Sequence, residues 1–215
     1  MIEAPSHDCP LCPRLVALRA SSEAANPGWF NAPVPSWGDP AAPILVVGMA
    51  PGLKGANRTG RPFTGDHAGV LLYETLIRLG LAEGDYRAEP DDGLVLRGCR
   101  VTNAVRCVPP ANLPKPAEVQ TCNQFLQAEL RGMVNLRAVL ALGVLAHAAV
   151  LRACGMPATR VRFQHGSITE LLDGLLLADS YHVSRYNTNT GLLTREMFEE
   201  TVLRMMQRIG HAALA

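Results

Sequence analysis

No apolar run in the chain reaches the roughly 18 residues that a membrane-spanning helix needs. The opening Met1-Ile2-Glu3-Ala4-Pro5 also lacks the basic-then-apolar layout of a secretory signal, so the cytoplasm is the expected compartment and no membrane partner is expected. Net charge is nearly absent, because 20 basic against 19 acidic residues leave +1. Any binding to a polyanion must therefore come from a local basic face rather than from the whole surface. Lysine is scarce, Lys54 and Lys115 being the only two; this bias toward arginine carries no functional weight. There is no internal repeat and no extended low-complexity run, which excludes solenoid architectures.

What remains is 215 residues, 48% hydrophobic and 18% charged, enough for one substantial domain spanning residues 1–215 with a single core. Strand-like apolar runs occur at Ile44-Leu45-Val46-Val47, Cys99 to Val105, Ala138 to Leu142 and Leu175 to His182. Helical periodicity lies between and after them, near 68–81, 116–131, 144–153 and 195–210, while residues 20–43, rich in Ala, Ser, Pro and Gly, read as an irregular loop. Strands alternating with helices predict an α/β fold with a parallel sheet covered on both faces. Ligands of such sheets sit beyond the carboxyl ends of the strands. The distinctive segments of this chain fall there.

Six cysteines in a reducing compartment argue for metal binding or catalysis rather than three structural disulfides. Cys9 and Cys12 form a C-x-x-C with Pro10 and Pro13 beside it, and Cys107 and Cys122 lie about a hundred residues later, on an expected strand end and helix. Val119, Cys122, Leu126 and Leu130 share one helical stripe, so Cys122 faces inward. Four thiolates brought together by folding make a metal or cluster site, and that site would tie the N-terminal arm to the middle of the fold. Cys99 and Cys154 are expected to be buried and unliganded.

Gly48-Met49-Ala50-Pro51-Gly52, continuing into Asn57-Arg58-Thr59-Gly60-Arg61-Pro62-Phe63-Thr64-Gly65-Asp66, is a glycine- and proline-rich loop on an unusual path close to a ligand. It lacks the terminal Gly-Lys-Ser/Thr of a Walker A loop. With Thr102-Asn103-Ala104-Val105-Arg106-Cys107-Val108-Pro109-Pro110 and His182-Val183-Ser184-Arg185-Tyr186-Asn187-Thr188-Asn189-Thr190-Gly191, it resembles the family 5 uracil-DNA glycosylases, the thermostable-type enzymes that carry a 4Fe-4S cluster. The resemblance runs from Cys9 to about Thr194.

The resemblance implies a three-layer α/β/α sandwich around a four-stranded parallel sheet, a 4Fe-4S cluster on Cys9, Cys12, Cys107 and Cys122, and a monomer. It also implies hydrolytic removal of uracil from DNA after the nucleotide is flipped out of the duplex. Phe63 would be the platform for the flipped base, Asn103 would read its Watson-Crick edge, and Gly48, Met49 and Ala50 would complete the base pocket. His182 would donate to the base oxygen on which negative charge collects. Met49 and Ala50 stand where many uracil-DNA glycosylases place an Asp, Asn or Glu, and this departure leaves Asp66 as the nearest acid, with a helix N-cap as its other reading. An uncharged first motif extends the expected substrates to other deaminated bases such as hypoxanthine. Lys54, Arg58, Arg61, Ser184, Arg185 and Asn187 would contact the DNA backbone. Two other readings are a non-catalytic metal-containing DNA-binding protein and a covalent DNA-capturing relative using His67 as nucleophile. An enzyme of this kind would work on the nucleoid when engaged.

Overall fold

The computed structural model describes residues 2–211. Its centre is Ile44–Gly48 (β2), which has no polar side chain and is buried on both faces. Such a strand is stable only between covered faces. Ile44 and Val46 point to one helical layer and Leu45 and Val47 to the other, as a period of two requires.

In chain order the elements are α1 (Pro13–Ala25), β1 (Trp37–Gly38), β2, α2 (Ala56–Thr59), α3 (His67–Arg78), β3 (Ala82–Glu83), β4 (Val95–Leu96) and β5 (Cys99–Asn103). Then come α4 (Pro116–Gly132), β6 (Ala138–Leu142), α5 (Val144–Ala153), β7 (Ile168–Glu170), β8 (Leu176–Ser180), α6 (Arg185–Asn189) and α7 (Arg195–Arg208). The main sheet runs β1-β5-β2-β6-β8-β7, and β3 with β4 forms a separate hairpin. The four inner strands are parallel. The expected four-stranded sheet is thus widened to six by β1 and β7, short strands that pair antiparallel at its two edges.

Helices α3 and α7 cover one face through Leu72, Leu76, Phe198, Val202 and Met206. Helices α4 and α5 cover the other through Leu126, Ala146, Ala149 and Val150. No helix of the described residues is long and apolar enough to cross a membrane. Helix α1 occupies part of the stretch read as an irregular loop; its buried side chains, Leu15, Arg19 and Ser22, are mostly polar and give no apolar stripe. Cys107 lies four positions beyond the end of β5 rather than on the strand, and Arg185–Asn189 after Ser184 forms the short helix α6.

Candidate active site and cysteine site

The carboxyl ends of β2, β5, β6 and β8 converge on one region, as a parallel sheet dictates. Register places Gly48 beside Asn103 at the ends of β2 and β5. A Cβ built on Gly48 would stand 2.3 Å from Phe63 Cζ and 2.4 Å from Asn103 Oδ1. The missing side chain therefore lets the ring and the amide meet above the strand. Phe63 holds a left-handed backbone (φ 54°), a conformation that costs a non-glycine residue about 1 kcal/mol or more. It is fixed there by the Tyr86 hydroxyl, which donates to Phe63 O at 3.1 Å, and by the Tyr73 hydroxyl, which donates to the preceding Pro62 carbonyl.

His182 lies two residues past β8, its ring centroid 6.3 Å from that of Phe63 and tilted by 31°. Burial lowers its pKa below the usual 6.5, so the ring is neutral at pH 7 and can act as a neutral N–H donor. Asn103 is buried at the end of β5, with its amide oxygen toward Gly48.

Next to this nest opens a cleft of about 730 Å³ lined by Met49, Ala50, Lys54, Asp66, His182 and Arg185, among others. Asp66 caps α3, its Oδ1 accepting from Ala68 N at 3.1 Å. Its Oδ2 lies against Gly52 and Gly55, where an added Cβ would come within 2.8 and 2.4 Å of it. Asp66 is thus a helix cap that also lines the cleft. Burial raises the Asp66 pKa above the ordinary carboxylate range.

Some of the remaining expected residues lie on or beside the cleft. Lys54 and Arg185 are exposed on it, and Ser184 caps α6 by accepting from Asn187 N at 3.4 Å. The Asn187 amide donates to the His182 carbonyl at 2.8 Å, which ties α6 to the segment after β8. Tyr186 is 73% exposed on the same helix. His67 Nε2 meets Thr188 Oγ1 at 3.0 Å and so joins the two rims. Arg58 grips Glu89 with both terminal nitrogens at 3.1 Å.

Arg61 is a correction. It is 5% exposed, pairs with Asp92 at 2.8 and 2.7 Å, and stacks over Trp37 at 4.7 Å. Four of its five N–H donors are engaged inside the protein, and burial withholds the guanidinium from a phosphate. Residues not anticipated from sequence, Asn112 and the stretch Leu142 to Leu145, also line the cleft. A signal for the latter is present, since Gly143 directly follows a strand of this sheet and has φ +94°.

On a neighbouring face, Cys9, Cys12, Cys107 and Cys122 line one small cavity with Leu15, Val105 and Phe125. All four are free thiols. Burial pushes Cys12 up to about 11 and Cys107 up to about 12, so without a metal both stay protonated at neutral pH. Arg106 N donates to Cys122 Sγ at 3.4 Å. No three His, Cys, Asp or Glu side chains among the described residues form a group that would hold a metal ion. Cys99 is buried elsewhere against the Leu81 carbonyl, and Cys154 is half-buried on the far helical layer.

Comparisons with known proteins point to one family. Residues 35–205 match the family model described as uracil DNA glycosylase superfamily. A type-5 uracil-DNA glycosylase of Thermus thermophilus is 44% identical over 94% of this chain and 94% of its own length. One from Pyrobaculum aerophilum is 42% identical over 94% and 90%, and one from Mycobacterium bovis is 43% identical over 89% and 75%. With the family match spanning most of the chain and these relatives covering nearly all of it, the chain belongs to the uracil DNA glycosylase superfamily.

Proposed function

We propose that this protein is a uracil-DNA glycosylase, which hydrolyses the bond between a flipped-out uracil and its deoxyribose and leaves an abasic site. The observation that carries the reading is the nest of Gly48, Phe63 and Asn103 beside His182, a residue that lines a cleft holding one carboxylate, Asp66. A base stacked on Phe63 presents its edge to Asn103, whose amide supplies one donor and one acceptor. Breaking the glycosidic bond puts positive charge on the sugar and negative charge on the base. His182, kept neutral by burial, donates to the base oxygen without first having to lose a proton. Asp66 opposes the sugar cation and orients the attacking water with the oxygen that does not cap α3. Lys54, Arg185 and the polar edge of α6 hold the phosphates, while Arg58 and Arg61 serve the protein itself.

The pocket accepts more than uracil. Met49 and Ala50 present no carboxylate and no amide at the first motif, so the base is selected mainly by shape and by Asn103, and weak polar demands discriminate weakly. Hypoxanthine is the sharpest test. Covalent capture by His67 is disfavoured because its Nε2 is engaged with Thr188.

Cys9, Cys12, Cys107 and Cys122 hold a 4Fe-4S cluster; the support is their convergence on one apolar cavity and the chemistry of an all-thiol donor set. When bound, such a cluster supplies a cross-link between the arm before α1 and the segment from β5 to α4, apart from the catalytic cleft. The whole chain then acts as a single monomeric glycosylase domain with a cluster-binding arm, working in the cytoplasm and on the nucleoid.

Incubation with an oligonucleotide containing a single uracil tests the reading. Free uracil and an alkali-labile site are expected. An unaltered oligonucleotide would support a binding protein without catalysis, and a denaturant-stable adduct would support covalent capture.

A further inference from the structure

Three arginines are nearly buried: Arg19 at 8% exposure, Arg61 at 5% and Arg106 at 1%. A buried guanidinium is tolerated when a carboxylate answers its charge. Arg61 has Asp92 at 2.7 Å and Arg106 has Glu129 at 2.7 Å. Arg19 has no carboxylate partner among the described residues. Its two contacts are Cys107 Sγ, at 3.8 Å from one terminal nitrogen, and the Cys9 carbonyl, at 3.2 Å from the other. It occupies the middle of the inward face of α1, between Leu15 and Ser22, where an apolar residue would be the ordinary choice.

We infer that Arg19 is the internal counter-charge and clamp of an anionic four-thiolate metal centre, and that this centre takes the place of the missing carboxylate. Four thiolates around one Zn²⁺, or around a 4Fe-4S core in its oxidised state, both leave a net charge of about −2. A cation placed at the edge of such a centre is therefore compensated, and it opposes loss of the metal. The two contacts also divide between the cysteine pairs: one fixes the backbone of the first pair, the other reaches a sulfur of the second. Arg19 thus acts on the centre as a positioning residue rather than as a ligand. The inference rests on the reading of Cys9, Cys12, Cys107 and Cys122 as a metal site, but not on which metal fills it.

The test uses metal-loaded full-length protein, with Arg19→Gln, Arg19→Lys and the wild type compared for metal content and for the rate of metal loss to a chelator. Arg19→Gln is expected to lose metal about tenfold faster or more, in line with other residues that support ligands from behind. Arg19→Lys, which keeps the charge but not the fork, is expected to recover part of that loss. Where the metal is iron, the reduction potential gives a readout that packing alone would not move. Removing a positive charge disfavours the added electron, so the potential of Arg19→Gln shifts negative while that of Arg19→Lys stays near the wild type. Should Arg19→Gln fold too poorly to load, a near-wild-type potential with only partly faster metal loss in Arg19→Lys, set against a negative shift and still faster loss in Arg19→Met, still supports the charge. Metal-loaded wild type with an Arg19→Gln variant of unchanged retention and potential would overturn this inference alone. Wild-type protein that binds no metal would overturn the metal reading and this inference with it.

Discussion

Gly48 and Phe63 share one space: the ring of Phe63 fills the volume into which a Gly48 side chain would project, with only 2.3 Å between Phe63 Cζ and a Cβ at position 48. Gly48 ends β2 and Phe63 lies in the stretch before α3, so the ring keeps this place only while position 48 is bare. Gly48→Ala is expected to push the ring and the Asn103 amide out of place. Uracil release should fall by about a hundredfold or more, as when a reacting group is misplaced by an ångström, while the thermal midpoint changes far less than the rate. Single-turnover release and thermal unfolding of the same preparation check this.

Arg61 and Lys54 should separate cleanly. Arg61→Met leaves Asp92 buried without its partner and should cost about 3–5 kcal/mol of stability, the usual penalty for breaking a buried ion pair. Lys54→Ala should leave stability alone, weaken binding to uracil-free and uracil-containing duplexes alike, and reduce the salt dependence of binding by roughly one phosphate contact. Denaturant titration and binding isotherms at several salt concentrations distinguish the two.

That contrast marks what the sequence made legible. The strands β2, β5, β6 and β8 and the helices α3, α4, α5 and α7 announced themselves because apolar periodicity is a local signal. The edge strands β1 and β7 have only two and three residues and no pattern of their own; they exist because a neighbouring strand offers them a ladder. Arg61 read as a loop cation because its partner, Asp92, lies 31 positions away in an irregular stretch. Arg19 was equally silent, since its reason for being inside comes from Cys9 and Cys107. The candidate site residues Phe63, Asn103 and His182 stand out in the sequence only as a combination of motifs. Their approach to one another depends on the register of β2 with β5 and on the left-handed backbone of Phe63, which no local pattern reveals.

The pH profile should carry the signatures of both half-buried groups. Asp66 has a raised pKa, so its ionised form opposes folding: the stability it contributes is full below the ordinary 3.8 and is lost as pH rises through the raised value. Catalysis needs that ionised form, so the acid limb of the single-turnover rate should lie above 3.8. His182 has a lowered pKa, so its contribution to stability is present above 6.5 and is lost as pH falls. The rate should be flat through neutral pH. A rate that declined on the alkaline side with a midpoint near 6.5 would show a protonated histidine at work and contradict the neutral-donor assignment.

Metal removal should act on the fold before it acts on the chemistry. Protein prepared without oxygen should be brown with roughly four irons per chain. Cys9→Ser or chelation should loosen α1, which follows directly on Cys12, and expose sites near residues 13–25 to protease. Protein still carrying its full iron should release uracil at an unchanged rate. Stoichiometric zinc in place of iron would assign the site to the structural zinc class.

The central claim is that one carboxylate and one neutral histidine stabilise the two charges that separate as uracil leaves, and Asp66→Asn tests it most directly. Asparagine is as good an N-cap as aspartate, so α3 and its capping bond to Ala68 should survive, and loss of a buried charge should leave stability unchanged or raised. Single-turnover release of free uracil should nonetheless fall by about a hundredfold to a thousandfold, the usual effect of removing one well-placed electrostatic group, with binding to uracil-containing DNA retained. Release at the wild-type rate would mean that Asp66 is only a helix cap and would contradict the account.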